Sequence, residues 1–118
     1  MTIRFTIEGD PIPKGRPRNY GGRSVTPQRT RDAEQAIRDY VSVLDVVPYD
    51  GPVSVSVTFY CKTRRRSDLD NMVKLLTDSL NGLAYTDDHL IHHLVARLHR
   101  AAIGETPRTE VRIEGLQA

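Results

Sequence analysis

Four aspartates and one lysine in the second half of the chain could do chemistry together. Asp68 and Asp70 flank a single leucine and are followed by Asn71. Lys74 comes four residues after Asp70, on the same face of a helix if this segment is helical. If Asp68 caps that helix, both carboxylates lie near its partly positive end. A second acidic pair, Asp87-Asp88, follows the predicted helix, and a short turn could return it to the first pair.

Carboxylates that lie this close repel one another unless a cation compensates their charge. Mg²⁺ prefers oxygen ligands and usually takes one or two carboxylates together with water and substrate phosphate. Such an ion can lower the pKa of water and orient it for in-line attack on phosphorus. A lysine beside the phosphate would offset the charge that develops in the transition state. These residue types therefore favour Mg²⁺-dependent hydrolysis of a phosphodiester.

The same residues allow a purely structural interpretation. Aspartates commonly cap helices, and a lysine four residues after one can form an ion pair on a solvated face. The pair Asp87-Asp88 alone is typical of a turn. Histidines at 89, 92 and 93 have a spacing that could ligate zinc, but structural zinc sites usually need four Cys or His ligands and Cys61 is remote. Spacing alone does not establish a nuclease.

Basic residues concentrate in two other segments. Residues 13–31 contain six lysines and arginines and no acidic residue, and an arginine run directly precedes Ser67 and Asp68. Basic loops beside an acidic cluster suit a polyanion that must be both bound and cut, such as DNA. The residues that we expect to contact DNA are Lys14, Arg16, Arg18, Arg23, Arg31, Arg64, Arg65 and Arg66.

Composition is that of one globular domain. The chain has 118 residues, of which 38% are apolar and 27% charged, with a net charge of +2. No apolar run approaches the roughly 20 residues of a membrane span, and the first ten residues do not resemble a signal peptide. Because Cys61 is the single cysteine, no intrachain disulfide can form, and a cytoplasmic location is expected.

Hydrophobic periodicity predicts three strands. Apolar residues alternate with polar ones at Ile3–Ile7, at Val53–Phe59 and around Val111 and Ile113, which should point inward. The segment from Leu90 to Leu98 fits both periods, and the pattern alone slightly favours a helix. Residues 11–22 contain prolines and glycines that predict a long basic loop.

Two helices are predicted between these strands. Asp32 and Gln35 form a possible capping pair for a first helix that continues to Leu44 and stops before Pro48. The second helix should begin at Ser67 or Asp68, carry an apolar face that reaches Leu83, and end near Asn81-Gly82. The prediction is one α/β or α+β domain over residues 1–118.

Several motifs resemble the RusA family of Holliday-junction resolvases. The string DLDN-x-x-K at 68–74, with the acidic pair at 87–88, resembles the family signature. The string PKGRPR at 13–18 is similar to a loop of its phage-type members. The segments TP…TR at 26–31 and GETPRTE at 104–110 resemble stretches before their first helix and near their C-terminus. These matches run in order along nearly the whole chain.

The resemblance implies a homodimeric enzyme that uses Mg²⁺, or Mn²⁺ in its place, to cut four-way DNA junctions by paired nicks. It implies Asp68, Asp70 and Asp88 as metal ligands, Lys74 as the catalytic lysine, and Asp87 as an auxiliary ligand. Asn71 belongs to the same motif. It implies no small-molecule cofactor and no membrane partner. It also implies an α+β fold of order β-α-β-α-β-β, a small mixed sheet packed by two helices, in which residues 91–103 form a strand.

Two other functions fit part of the sequence. A non-catalytic DNA-binding module would explain the basic loops, but an acidic cluster facing DNA without a metal would weaken binding. A small metal-dependent nucleotide phosphohydrolase would explain the carboxylates and leave the arginine-rich loop unexplained. Cleavage tests on branched, duplex and single-stranded DNA separate these functions.

Overall fold

A mixed four-stranded sheet carries the core of the protein in the computed structural model, which describes residues 2–12, 18–62 and 68–116. The sheet has the order β1-β6-β4-β5, in which β6 is antiparallel to β1 and β4, and β5 is parallel to β4. A 3₁₀ turn at Asp88–Leu90 precedes β5. The elements are β1 Thr2–Glu8, β2 Arg18–Tyr20, β3 Arg23–Val25, α1 Gln28–Ser42, β4 Val53–Cys61, α2 Leu69–Ser79, β5 Ile91–Arg100 and β6 Arg108–Gly115.

Alternating side chains of the sheet form one buried face, as the period of two predicts. The central strand β4 buries Val53, Val55, Val57 and Phe59, and the predicted inward residues of β6 are also buried. Both helices pack on this face, since α1 and α2 contribute buried side chains to the same cluster. The α+β prediction is confirmed, with two helices beside a mixed sheet. No helix in the described ranges is long and apolar enough to cross a membrane.

Strand β5 corrects the slight preference for a helix between Leu90 and Leu98. Residues 91–100 pair in parallel with β4. The sheet therefore satisfies the backbone groups on the inner side of this strand, which a helix would have satisfied internally. The alternation of this segment also places Ala96 and Leu98 against the core. The strand implied by the family resemblance for residues 91–103 is therefore confirmed over Ile91–Arg100, three residues shorter, and β5 forms one edge of the sheet.

Both helices differ from the predictions at their ends. Helix α1 begins at Gln28, where Pro27 precedes it with φ of −56°, so Asp32 and Gln35 are not its capping pair. Asp32 instead accepts a hydrogen bond of 2.7 Å from the Gln28 side chain within the helix. Helix α2 ends at Ser79 rather than at Asn81-Gly82, so Leu83 lies beyond it.

A short hairpin replaces part of the predicted basic loop. Strands β2 and β3 pair antiparallel, with Arg18 opposite Val25 and Tyr20 opposite Arg23. Gly21 and Gly22 form the turn with φ of 56° and 84°. Positive φ at both turn residues gives the twist that a two-residue hairpin requires, and glycine adopts it without strain. The prediction of a loop over residues 11–22 was therefore wrong from residue 18 onward, where the hairpin begins.

Candidate active site

Helix α2 begins with the two aspartates of the DLDN motif. Asp68 occupies the N-cap position with extended backbone (φ −84°, ψ 121°), and Asp70 lies in the first turn, as predicted. Asp68 makes no side-chain capping hydrogen bond within the described part of the chain. Its Oδ2 accepts from the Asn71 amide at 3.3 Å, and the Asp70 side chain accepts from the Asn71 backbone N–H at 3.0 Å. Both carboxylates are exposed and available to a ligand.

An open depression joins these aspartates to the lysine of the motif. It has a volume of about 640 Å³ and lies between α2 and the edge strand β5. Because Asp68, Asp70 and Lys74 all line it, the structure brings together three of the predicted site residues. Its remaining wall is largely apolar, with Val73 from α2 and Leu94 from β5. This arrangement presents two carboxylates and one amine to a bound phosphate.

Lys74 is paired with a residue farther along the helix than Asp70. Its Nζ lies 3.1 Å from Oδ1 of Asp78, and its side chain is 59% exposed. The Asp78 side chain is only 17% exposed, so the pair is covered on its carboxylate side and open to solvent at the lysine. The exposed amine can exchange Asp78 for a bound phosphate, which would supply the negative charge that Asp78 provides here.

The second acidic pair lies at the 3₁₀ turn. Asp87 caps this turn by accepting a hydrogen bond of 2.9 Å from the Asp88 backbone N–H at Oδ1. Its other oxygen, Oδ2, bonds with Nδ1 of His89. The hydrogen bond from His89 is the main reason why the pKa of Asp87 is lowered. Both carboxylate oxygens of Asp87 thus accept hydrogen bonds. Asp88 is the first residue of the turn, and it is half-buried.

Tyr85 contacts the helix that begins at the first acidic pair and lies in the segment that carries the second pair. The pKa of this buried tyrosine is raised, first by burial and then by the negative charges of Asp88 and Asp78. Its hydroxyl donates to the carbonyl of Thr77, a residue that lines the depression. The negative charge of Asp88 thus contributes to the raised pKa of Tyr85, a side chain that contacts the depression wall through Thr77.

The donor chemistry of the depression fits Mg²⁺. Two carboxylates on one surface meet the usual requirement of this ion, which completes its shell with water and phosphate oxygens. Among the residues that the structure describes, no three His, Cys, Asp or Glu side chains form a ready-made metal group. Asp68 and Asp70 would be the first ligands; the predicted third ligand, Asp88, is not among the residues that line the depression.

The predicted DNA-contact residues are described only in part. Arg23 on β3 and Arg31 on α1 are exposed, as DNA contacts require. Arg18 begins β2, and its side chain lies outside the described part of the chain. The remaining predicted contacts also lie outside the described residues: Lys14, Arg16, Arg64, Arg65 and Arg66.

The histidines have separate contacts. His89 bonds with Asp87, and His93 Nδ1 lies 2.8 Å from the Ser54 hydroxyl. His92 lies at a β-bulge, where the pairing of β5 with β4 passes from Ile91 to His93. The helical spacing that made this group a zinc candidate does not apply to a strand.

The sequence pattern did not predict which residues form the wall of the depression beside the motif. Thr77 follows Lys74 by three residues on α2, a spacing that places both on one helical face and could have indicated it. Leu94 and Ala96 could not be placed there, because the period of β5 was ambiguous.

A comparison with known families decides which family this fold and site belong to. The family model described as "Endodeoxyribonuclease RusA" matches residues 8–114, nearly the whole chain. The chain belongs to the RusA family. The RusA model spans the hairpin, α2 with the DLDN motif, and the 3₁₀ turn with Asp87 and Asp88. RusA membership implies an endodeoxyribonuclease that resolves Holliday junctions.

A curated relative resembles this RusA-family chain over its full length. "Uncharacterized protein YqaN" of Bacillus subtilis (strain 168) is 27% identical over an alignment of 143 residues, which covers 98% of this chain and 98% of the relative. Its printed name assigns no activity, so the functional inference rests on the RusA family and on the geometry of the site.

Proposed function

We propose that this RusA-family protein is a Mg²⁺-dependent, structure-selective endonuclease that resolves four-way DNA junctions by paired symmetric nicks, in recombination and repair. The observation that carries this proposal is the shared depression of Asp68, Asp70 and Lys74 between α2 and β5. A surface that combines two exposed carboxylates with an amine suits a metal ion and a phosphate together. A role in helix capping alone would not require this combination.

The carboxylates would hold the metal. Asp68 and Asp70 supply oxygen ligands from the start of α2, and Asp88 supplies a third from the 3₁₀ turn. Asp87 has an auxiliary role, because its two oxygens are engaged by the Asp88 backbone and by His89. Bound Mg²⁺, or Mn²⁺ in its place, would activate water and neutralise charge on the phosphate.

Lys74 would act on the reacting phosphate. Its amine leaves Asp78 and approaches a phosphate oxygen, where its positive charge offsets the negative charge that grows in the transition state. Water adds to phosphorus as the bond to the 3′ oxygen breaks. The products are a 5′-phosphate and a 3′-hydroxyl, which a ligase can rejoin. Asn71 supports the site by donating to the Asp68 carboxylate.

The basic residues would bind the DNA backbone. Arg23 on β3 and Arg31 on α1 are exposed. Of the other predicted contacts, Lys14, Arg16 and Arg18 precede them in the sequence, and the run at 64–66 comes shortly before Asp68. Phosphate contacts fix the position of a duplex and do not read its sequence. Such binding suits an enzyme that selects a branched structure.

We also propose a homodimer acting in the cytoplasm. A four-way junction is close to two-fold symmetric, so two copies of one active site can cut opposed strands. Light scattering at micromolar concentration should give twice the mass of the 13.3 kDa chain. A monomer mass both with and without junction DNA would contradict paired nicking. A buried, free Cys61 is in keeping with a reducing compartment.

The decisive experiment compares three DNA substrates with and without Mg²⁺. We expect paired nicks in a four-way junction, little cutting of duplex or single strands, and no cutting in EDTA. Binding of all substrates without cutting would indicate a DNA-binding module. Hydrolysis of nucleotides without cutting of DNA would indicate a phosphohydrolase.

A further inference from the structure

Tyr85 is a buried side chain with one specific polar contact. It has 0% relative exposure, and its hydroxyl donates a hydrogen bond of 2.6 Å to the carbonyl oxygen of Thr77. Thr77 lies in the last turn of α2, where carbonyl groups lack partners inside the helix. The tyrosine hydroxyl therefore satisfies a carbonyl at the end of the helix that begins with Asp68.

This contact connects the two acidic segments of the proposed active site. On one side, Thr77 belongs to the depression that Asp68, Asp70 and Lys74 line. On the other side, Tyr85 precedes Asp88 by three residues and lies within reach of its charge. The Tyr85 backbone is also fixed, since its carbonyl accepts from the Gly82 N–H at 2.8 Å. A shift of the Asp88 segment relative to α2 would have to stretch these bonds.

We propose that Tyr85 is a positioning residue for catalysis, whose hydroxyl holds the Asp88 segment at a fixed distance from the carboxylates of α2. This inference rests on the proposed function, in which carboxylates from both segments bind one metal. Misplacement of a catalytic group by about 1 Å can lower a rate by about 100-fold. A single buried hydrogen bond between the segments can therefore control activity without touching the DNA.

Tyr49 provides a matched control. Its backbone pairs with the same segment, through the Ala84 carbonyl at 3.0 Å and the Thr86 N–H at 2.9 Å. Its hydroxyl is buried too, but it has no hydrogen-bond partner among the described residues. Replacing either tyrosine with phenylalanine removes one hydroxyl and keeps the ring. Only the Tyr85 replacement removes a bond between the two acidic segments.

The experiment measures single-turnover junction cleavage by Tyr85→Phe and Tyr49→Phe over a range of Mg²⁺ concentrations. We expect Tyr85→Phe to cleave about 10-fold more slowly at saturating Mg²⁺ and to need more Mg²⁺ for half its maximal rate, while its junction affinity without metal is unchanged. Tyr49→Phe should match the wild type in all three quantities. A purely structural role for Tyr85 would lower the unfolding temperature without changing the Mg²⁺ requirement.

A direct measurement separates position from stability. If Tyr85 affects Mg²⁺ affinity only through the position of Asp88, then Tyr85→Phe should have no further effect once Asp88 is replaced. The Mg²⁺ affinity of the double variant Tyr85→Phe, Asp88→Asn should therefore equal that of Asp88→Asn alone. If Tyr85→Phe is partly unfolded, the assays are repeated in trimethylamine N-oxide, which restores folding without replacing the hydroxyl.

The outcomes distinguish this inference from the proposed function. Equal rates and equal Mg²⁺ requirements for Tyr85→Phe and Tyr49→Phe would overturn the positioning role, while wild-type cleavage would leave the nuclease proposal intact. A wild-type protein that does not cut junctions in Mg²⁺ would overturn both.

Discussion

The acidic site and the basic hairpin differ in how the fold supports them. Helix α2, which carries Asp68 and Asp70, buries Met72 and Leu76 to 1% exposure in the core of the sheet. Strands β2 and β3 pair only with each other in a separate two-stranded sheet. The turn residues Gly21 and Gly22 and the first two residues of β3, Arg23 and Ser24, are exposed. One region is anchored in the hydrophobic core, and the other lies in a separate two-stranded sheet with an exposed turn.

This difference follows from what each region has to do. Groups that act on a reacting phosphate must hold their geometry within fractions of an ångström. Groups that neutralise backbone phosphates act by charge and tolerate many geometries. Changes in the first region should therefore affect the cleavage rate, and changes in the second should affect affinity.

The largest expected effect comes from the carboxylates. Asp68→Asn, Asp70→Asn and Asp88→Asn should each abolish cleavage, because each removes a charged ligand of the metal. Junction binding should survive or improve, since a negative charge facing phosphate is lost. Single-turnover cleavage and a binding titration on the same junction test this. Full Mg²⁺-dependent activity of Asp70→Asn would refute the assignment.

A smaller loss is expected for Lys74→Ala. Its cleavage rate should fall by about 100-fold with little change in affinity, because the lysine acts on charge that develops in the transition state. Asp78→Asn is the control, since it breaks the same ion pair of 3.1 Å and leaves the lysine in place. Normal cleavage by Asp78→Asn would exclude loss of the ion pair as the cause. A proportional fall in affinity for Lys74→Ala, with an unchanged rate, would make the lysine a phosphate anchor only.

Exposed arginines of the hairpin and of the start of α1 should determine how strongly DNA affinity depends on salt. Replacing Arg23 and Arg31 together with alanine should make the slope of log affinity against log salt shallower by up to about 2 on duplex arms. Metal binding without DNA should not change, because the proposed ligands lie at the start of α2 and in the 3₁₀ turn. An unchanged slope would exclude these arginines as phosphate contacts.

The smallest effect is expected for Asp87→Asn. Its amide oxygen can still accept from the Asp88 N–H, so the turn and the cleavage rate should be preserved. The lowered pKa of Asp87 means that the His89 contact stabilises the protein above the unfolded carboxyl pKa of about 4 and is lost as pH falls through the lower folded value. The difference in unfolding temperature between wild type and Asp87→Asn should therefore shrink in acid. Loss of cleavage would make Asp87 a metal ligand.

Local pattern predicted much of the fold and the first half of the site. Alternation identified β1, β4 and β6, because each has one face on the core. The DLDN motif placed Asp68 at a helix start because a carboxylate is favourable there. The pattern failed at β5, whose residues Leu94 and Leu98 satisfy both periods, and pairing with β4 decided the outcome.

Contacts between distant residues could not be predicted in this way. Arg38 on α1 donates to the carbonyls of Ser79 and Asn81, which lie 41 and 43 residues away, at 3.0 Å each. The bond of Tyr85 to Thr77 depends on how the chain turns after α2. Such bonds join backbone groups at helix ends, which no side-chain pattern reveals.

The most direct test of this division measures affinity and single-turnover rate on one four-way junction for two variants side by side. Asp70→Asn should keep the affinity and lose the rate. The double variant Arg23→Ala, Arg31→Ala should lose affinity and keep the rate once the enzyme is saturated with DNA. If both variants lost rate and affinity together, the separation between a cutting region and a binding region would be wrong.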